Sequence, residues 1–160
     1  MTTQLALANE SDECVLDLLC FDIGNERFAV QLSAVDEVID AKDLHVHLDH
    51  GSRRGVIRLG TELLAVYDAE SLLCARSKSI DPMAIVFSNG NTRVAILVDQ
   101  ADAISGVSLN SLRSPVKIVS RDRVLVGALR VGSRWVGLLE ACELVQALDS
   151  PSQLETSVDR

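Results

Sequence analysis

A chain of 160 residues that is 48% hydrophobic and 24% charged has the composition of a globular protein able to bury a core of its own. Its net charge of −8 denies it the basic face that nucleic acid or an anionic membrane surface requires, and suits solubility or a basic protein partner. Aromatic residues are 3% of the chain, so Val, Leu, Ile and Ala must fill the interior. No run approaches the ~18 apolar residues of a transmembrane helix. Residues 1–13 carry no base to form a signal-peptide n-region, so a cytoplasmic protein without membrane insertion is expected. Cys14, Cys20, Cys74 and Cys142 show no C-x-x-C spacing and are expected as reduced, small apolar side chains.

Residues 1–13 are polar and acidic without a period, which predicts a flexible leader, and the folded unit is expected over 14–149. Val15 to Ile23 and Arg27 to Leu32 flank Gly24-Asn25-Glu26 and predict a first hairpin. Phe28, Val30 and Leu32 share one of its faces, with Arg27, Ala29 and Gln31 on the other. Gly55 to Leu59 and Glu62 to Tyr67 form a second hairpin around Gly60-Thr61, with glycine at the first turn position. A short helical turn is expected over Asp68 to Leu73, then a joint between halves at 76–82. Met83 to Ser88 and Thr92 to Val98 form a third hairpin around Asn89-Gly90. Val124 to Val131 and Arg134 to Leu139 form a fourth around Gly132-Ser133, and a helix should follow Glu140. Residues 150–160 have the composition of a disordered tail.

The hairpins repeat. An offset of 66 residues lays Phe21, Gly24, Asn25, Arg27 and Ala29 on Phe87, Gly90, Asn91, Arg93 and Ala95. An offset of 72 lays Gly55, Arg58 and Gly60 on Gly127, Arg130 and Gly132, and continues to Leu72 on Leu144. Matched pieces in the same order predict a tandem of related subdomains. Many short strands so arranged predict an all-β fold with short helices, in which two tandem small β-barrels share a hydrophobic core. Either half alone could bury little, so an apolar interface between them should supply much of the stability.

Candidate chemistry is sparse. His45-Val46-His47-Leu48-Asp49-His50 holds every histidine of the chain. In an extended segment His45, His47 and Asp49 project to one side, so a small metal-binding protein using His45, His47, Asp49 and His50 is one alternative. The segment also resembles the metallo-β-lactamase zinc signature, but no downstream histidine exists to complete such a site. The plainer reading is a polar, histidine-rich loop between Ile39 and Gly55. No P-loop, nucleophile elbow or dinucleotide fingerprint is present, and no catalytic residue, metal or cofactor is assigned. Asp36-Glu37 and Asp68-Ala69-Glu70 are adjacent carboxylates, and acids at strand ends are expected to cap the turns that follow.

Taken in order, several segments resemble the CheW family of bacterial chemotaxis coupling proteins. They are Phe21-x-x-Gly24-x-x-x-Phe28-Ala29-Val30, Val35-Asp36-Glu37-Val38-Ile39, Gly55-Val56-Ile57-x-Leu59 with Val66-x-Asp68, Leu97-Val98-Asp99, and Val126-Gly127 through Leu144. The resemblance implies two intertwined five-stranded, SH3-like barrels around a shared core, without catalytic activity or cofactor. It implies an adaptor whose partners are the regulatory domain of a CheA-type histidine kinase and a chemoreceptor signalling tip. Carried over, Val35, Glu37, Gly55, Arg58 and Gly60 would sit near the receptor-side surface; strand packing or turn geometry is the plainer role for Val35 and Gly55. Where the family has N-L-R-G this chain has Arg58-Leu59-Gly60-Thr61, which leaves a decoy that binds kinase but not receptor as a further alternative.

Overall fold

The structure, a computed structural model, describes residues 14–42, 45–46, 53–68, 73, 75, 82–113 and 124–149. Its strands are β1 (Val15–Ile23), β2 (Glu26–Gln31), β3 (Val35–Asp40), β4 (His45–Val46), β5 (Arg53–Leu59), β6 (Glu62–Tyr67), β7 (Met83–Asn89), β8 (Thr92–Val98), β9 (Gln100–Ser108), β10 (Leu125–Val131) and β11 (Arg134–Leu139). A 3-10 turn, Leu32–Ala34, joins β2 to β3, and helix α1 (Ala141–Asp149) follows β11. The expected leader, the joint at 76–81, the tail, and His47, Asp49 and His50 lie outside the described residues.

All four hairpins turn on a glycine at the first turn position. Gly24, Gly60, Gly90 and Gly132 have φ between 62° and 66°, the left-handed conformation that primed hairpin turns demand and that glycine adopts without a steric cost. In the third hairpin the turn residues are Gly90 and Asn91, because Asn89 still pairs with Thr92. The turn therefore sits one residue beyond the Asn89-Gly90 pair that the sequence suggests.

The repeats do not fold each into a barrel of its own. Sheet one runs β9-β1-β2-β11-β10, and sheet two runs β3-β7-β8-β6-β5-β4. Each sheet is therefore built on a hairpin of one repeat and completed by strands of the other. The joints match: β2 lies parallel to β11, with Phe28 opposite Gly137, and β8 lies parallel to β6, with Val94 opposite Ala65. Strands β3 and β9 are the half-exposed edges, and β9 carries a bulge where Gly106, at φ 65°, donates its N–H to Asp17.

This exchange produces three apolar layers. Leu18, Cys20, Ala29, Leu129, Val136 and Leu138 fill barrel one, and Ile57, Leu64, Val66, Val86, Ala95 and Leu97 fill barrel two. Between them lies a larger layer containing Phe21, Phe28, Phe87, Ile85, Ile96 and Val94. Helix α1 adds Ala141, Leu144, Val145 and Leu148, spaced as one helical face. Its first turn is capped by Glu140, whose carboxylate accepts the Glu143 N–H at 3.1 Å, the role expected for an acid at a strand end. The central hairpins consequently bury both faces. Ala29, placed by alternation opposite Phe28 and Val30, points into barrel one and is as dry as they are. Of the cysteines only Cys20 fits the expectation of a buried apolar side chain; Cys14 and Cys142 are exposed, and Cys74 lies outside the described residues.

Both barrels are closed beside β10 and β5 by short backbone bridges. In barrel one, Arg113 exchanges two 2.9 Å backbone hydrogen bonds with Ala128. In barrel two, His45 and Val46 pair with Val56 and Gly55, so the expected loop contains a two-residue strand. The approach in barrel one requires glycine: a Cβ on Gly127 would lie 2.2 Å from the Arg113 carbonyl oxygen. Gly127→Ala should lower stability by about 1–3 kcal/mol, as overpacking against backbone does, seen as a lower urea midpoint at unchanged slope. An unchanged midpoint would show that the Arg113 bridge is not held as described.

Candidate functional site

Strand β5 places Arg58 on the exposed outer face of barrel two, directly across from Leu63 of β6. Leu63 is 61% exposed, so an uncovered apolar side chain lies across the ladder from Arg58 near the tip of the hairpin. Gly60 forms that tip at φ 64°, with open space where a side chain would be. Its contribution is turn geometry. Among the described residues, Arg58 has no ion-pair partner.

The other candidates are distributed differently. Gly55 is buried within the sheet, between Val46 and Val66, and presents nothing to solvent. Val35 and Glu37 lie on edge strand β3, opposite Phe87 and Val86 of β7. Val35 packs against the shared layer, whereas Glu37 is exposed. No described hydrogen bond or ion pair joins Glu37 to Arg58.

Arg93 of β8 links the two regions. Its Nε donates to Asp36 of β3 at 3.2 Å, its Nη1 pairs with Glu62 beside the Gly60 turn, and the Ser88 hydroxyl donates to Asp36 at 3.2 Å. The edge strand bearing Glu37 and the hairpin bearing Arg58 are thus tied through one guanidinium. Barrel one repeats the device at the repeat-related positions. Arg27 donates to Asp22 at 2.8 Å and to Asp102 at 3.3 Å, and Arg134 stands 3.9 Å from Asp22. Each cluster joins strands from both repeats. Asp99, in the Leu97-Val98-Asp99 segment, accepts the Gly24 N–H at 2.7 Å and so fixes the first hairpin turn.

Asp22 is the one buried charged residue described. Burial alone would push its carboxyl up. Hydrogen bonds from Gln100 and Arg27, with the charges of Arg27 and Arg134, outweigh that and hold it below the ordinary carboxylate range. Cys20, in the barrel one interior, is pushed the other way: burial raises its thiol, which suits packing and not reactivity. No group of three or more His, Cys, Asp or Glu side chains suited to a metal occurs among the described residues. No described helix is long and apolar enough to cross a membrane.

Neither arginine cluster nor the exposed Leu63 figures among the candidate residues chosen from sequence. The signal was available in the offset of 66, which carries Arg27 onto Arg93 and Asp36 onto Asp102.

Two strand-exchanged sheets about one apolar layer, each tied by a repeat-related arginine cluster, define a duplicated two-barrel β protein. The chain matches the family described as CheW-like domain over residues 17–149, most of its length, and belongs to it. It is also similar to the crystal structure of scaffolding protein TtCheW from Thermoanaerobacter tengcongensis, with a TM-score of 0.66 and 17% identity, over 79% of this chain and 89% of that one. At that identity the likeness is one of fold. The fold is thus the CheW fold of two SH3-like barrels, as the sequence resemblance implied. No curated protein matches the chain.

The depressed Asp22 carboxyl gives a pH prediction with a definite sign. Its stabilisation is fully present above the unfolded-state value of about 3.9 and is lost as pH falls below it. Asp22→Asn should cost about 1–3 kcal/mol at neutral pH, because Arg27 is left with half its partners. It should also flatten the loss of stability on acidification below about pH 4. Urea midpoints across that range check both, and parallel curves for the two proteins would contradict the assignment.

Proposed function

We propose that this protein is a non-catalytic adaptor of bacterial chemosensory signalling that couples chemoreceptors to a CheA-type histidine kinase. Membership of the CheW-like family over residues 17–149 carries the reading at the level of a chemotaxis scaffold. Arg58, which meets no carboxylate among the described residues and lies across from exposed Leu63, supports the finer part, since it offers an anionic, partly apolar partner an anchor on the β5–β6 hairpin. Glu37, tethered to the same region through Asp36 and Arg93, supplies a second polar contact on the receptor side. Val35 supports the strand that presents Glu37, and Gly55 and Gly60 shape the hairpin that presents Arg58. The departure Arg58-Leu59-Gly60-Thr61 leaves a cationic donor on strand β5 at Arg58, two residues before the position taken here by the Gly60 turn.

A titration against the regulatory domain of a CheA-type kinase and against a receptor signalling tip tests the reading. Micromolar affinity for both is expected. Arg58→Glu should weaken receptor-tip binding at least ~10-fold, as charge reversal of a central anchor does, with an unchanged thermal midpoint because the side chain is exposed. Kinase binding without receptor binding would make the protein a decoy. Binding to neither would leave the family fold without the family's role.

A further inference from the structure

Sheet one does not close on itself by a strand ladder. Its order begins at β9 and ends at β10, and among the described residues no ladder joins these two edges. The chain leaving β9 bridges only part of the gap. It turns at Leu109–Leu112, lends the Ser111 hydroxyl to the Arg130 N–H at 2.9 Å, and pairs Arg113 with Ala128. Between the β9 bulge and the Gly132 turn a shallow groove of about 450 Å³ remains. That volume falls within the roughly 300–1,000 Å³ of small-molecule sites, which recur at the mouths of β-barrels.

The lining has two parts. Ile104, Val107 and Val131 pack with the barrel one layer, so they supply an apolar wall continuous with a core. Ser105, Ser108, Ser111 and Arg130 supply the polar part, and no described lining residue is an acid. The hydroxyls are set as donors. Ser108 Oγ accepts the Asn110 N–H at 3.1 Å and Ser111 Oγ accepts that of Arg130, while neither hydroxyl proton has a described acceptor. Arg130 meets no carboxylate among the described residues, and its guanidinium carbon lies 5.9 Å from the Trp135 ring centroid. A guanidinium held near an aromatic ring keeps its in-plane N–H donors for a carboxylate or phosphate. Asp17, the acid that reaches the bulge, gives its Oδ1 to the Gly106 N–H at 2.9 Å. Barrel two differs at the same place: the offset of 66 lays Gly106 on Asp40, and edge strand β3 also carries Asp36 and Glu37, which would repel an anion.

We propose that the seam between β9 and β10 is a binding site for a small organic anion. Its phosphate or carboxylate head would be held by Arg130 with the Ser108 and Ser111 hydroxyls, and its short apolar body would lie against Ile104, Val107 and Val131. The site is one for a small molecule, and it is independent of the coupling role proposed above.

Backbone amide spectra of the full chain, recorded while hexyl phosphate or hexanoate is titrated in, test the proposal. Saturable shifts centred on residues 104–111 and 130–132 are expected, and the tighter probe identifies the head. Inorganic phosphate and hexanol each lack one of the two parts and should bind at least ~10-fold more weakly. Arg130→Gln should lower the affinity at least ~10-fold and Ser108→Ala roughly 3-fold, as loss of a charge-assisted and of a neutral hydrogen bond does. Arg58→Gln should leave it unchanged. Dispersed spectra show that each variant is folded. No saturable shift with either anion, or undiminished binding by folded Arg130→Gln and Ser108→Ala chains, would overturn the proposal. Hexanol bound as tightly as the anions would leave only an apolar groove, and inorganic phosphate bound as tightly would remove the apolar contact; either result contradicts the site described.

Discussion

The structure depends on strands that are dry on both faces. β1, β2, β7 and β8 send alternate side chains into a barrel and into the layer between barrels, so Leu18, Cys20 and Ala29 fill one space while Leu19, Phe21 and Phe28 fill the next. The layer between the barrels holds all three phenylalanines, and the apolar face of α1 is spent on it. Removing either barrel would expose that layer to water at roughly 25 cal/mol for each Å² of apolar surface. A unit of about 65 residues buries too little of its own surface to absorb such a loss. The two barrels are therefore one cooperative body, and the exchange of strands between repeats makes the dependence covalent as well as energetic.

The polar chemistry follows the same duplication. Arg27 with Asp22 and Asp102, and Arg93 with Asp36 and Glu62, sit where a strand of one repeat meets a strand of the other. The exposed pairs among them, Arg93 with Asp36 and Glu62 and Arg27 with Asp102, contribute little stability individually, in contrast to the buried Asp22. Their value here is register: each fixes an edge strand, β9 or β3, that its own small and polar side chains specify weakly. Among the described residues Arg58 and Arg130 meet no carboxylate and stand outside these clusters, on the exposed faces of the β5–β6 and β10–β11 hairpins.

Much of this was legible in the chain. The four hairpins follow from their glycine turns and apolar runs, and the tandem barrels follow from offsets of 66 and 72. Strands β3 and β9 were not predicted as strands, because Val35–Asp40 and Gln100–Ser108 are half-exposed edges with acidic, small or bulged positions. Strand exchange is invisible to local pattern, since β2 pairs with β11 across more than a hundred residues. Of the candidate residues, Arg58 and Glu37 are exposed, while Gly55 is interior, Gly60 is a turn and Val35 is largely packing. The exposure of Trp135 and Leu63 is not legible in the sequence, because a lone apolar residue in an alternating strand gives no sign of which face is left uncovered.

Fragment complementation tests the central claim most directly. The chain is cut between β6 and β7 into residues 14–81 and 82–149, and backbone amide spectra are recorded for each piece and for the equimolar mixture. Strand exchange predicts two poorly dispersed, unfolded spectra that convert on mixing to the dispersed spectrum of the intact protein. A dispersed, cooperatively melting spectrum from either fragment alone would mean that a repeat folds into a barrel by itself, and the shared, strand-exchanged core would have to be abandoned.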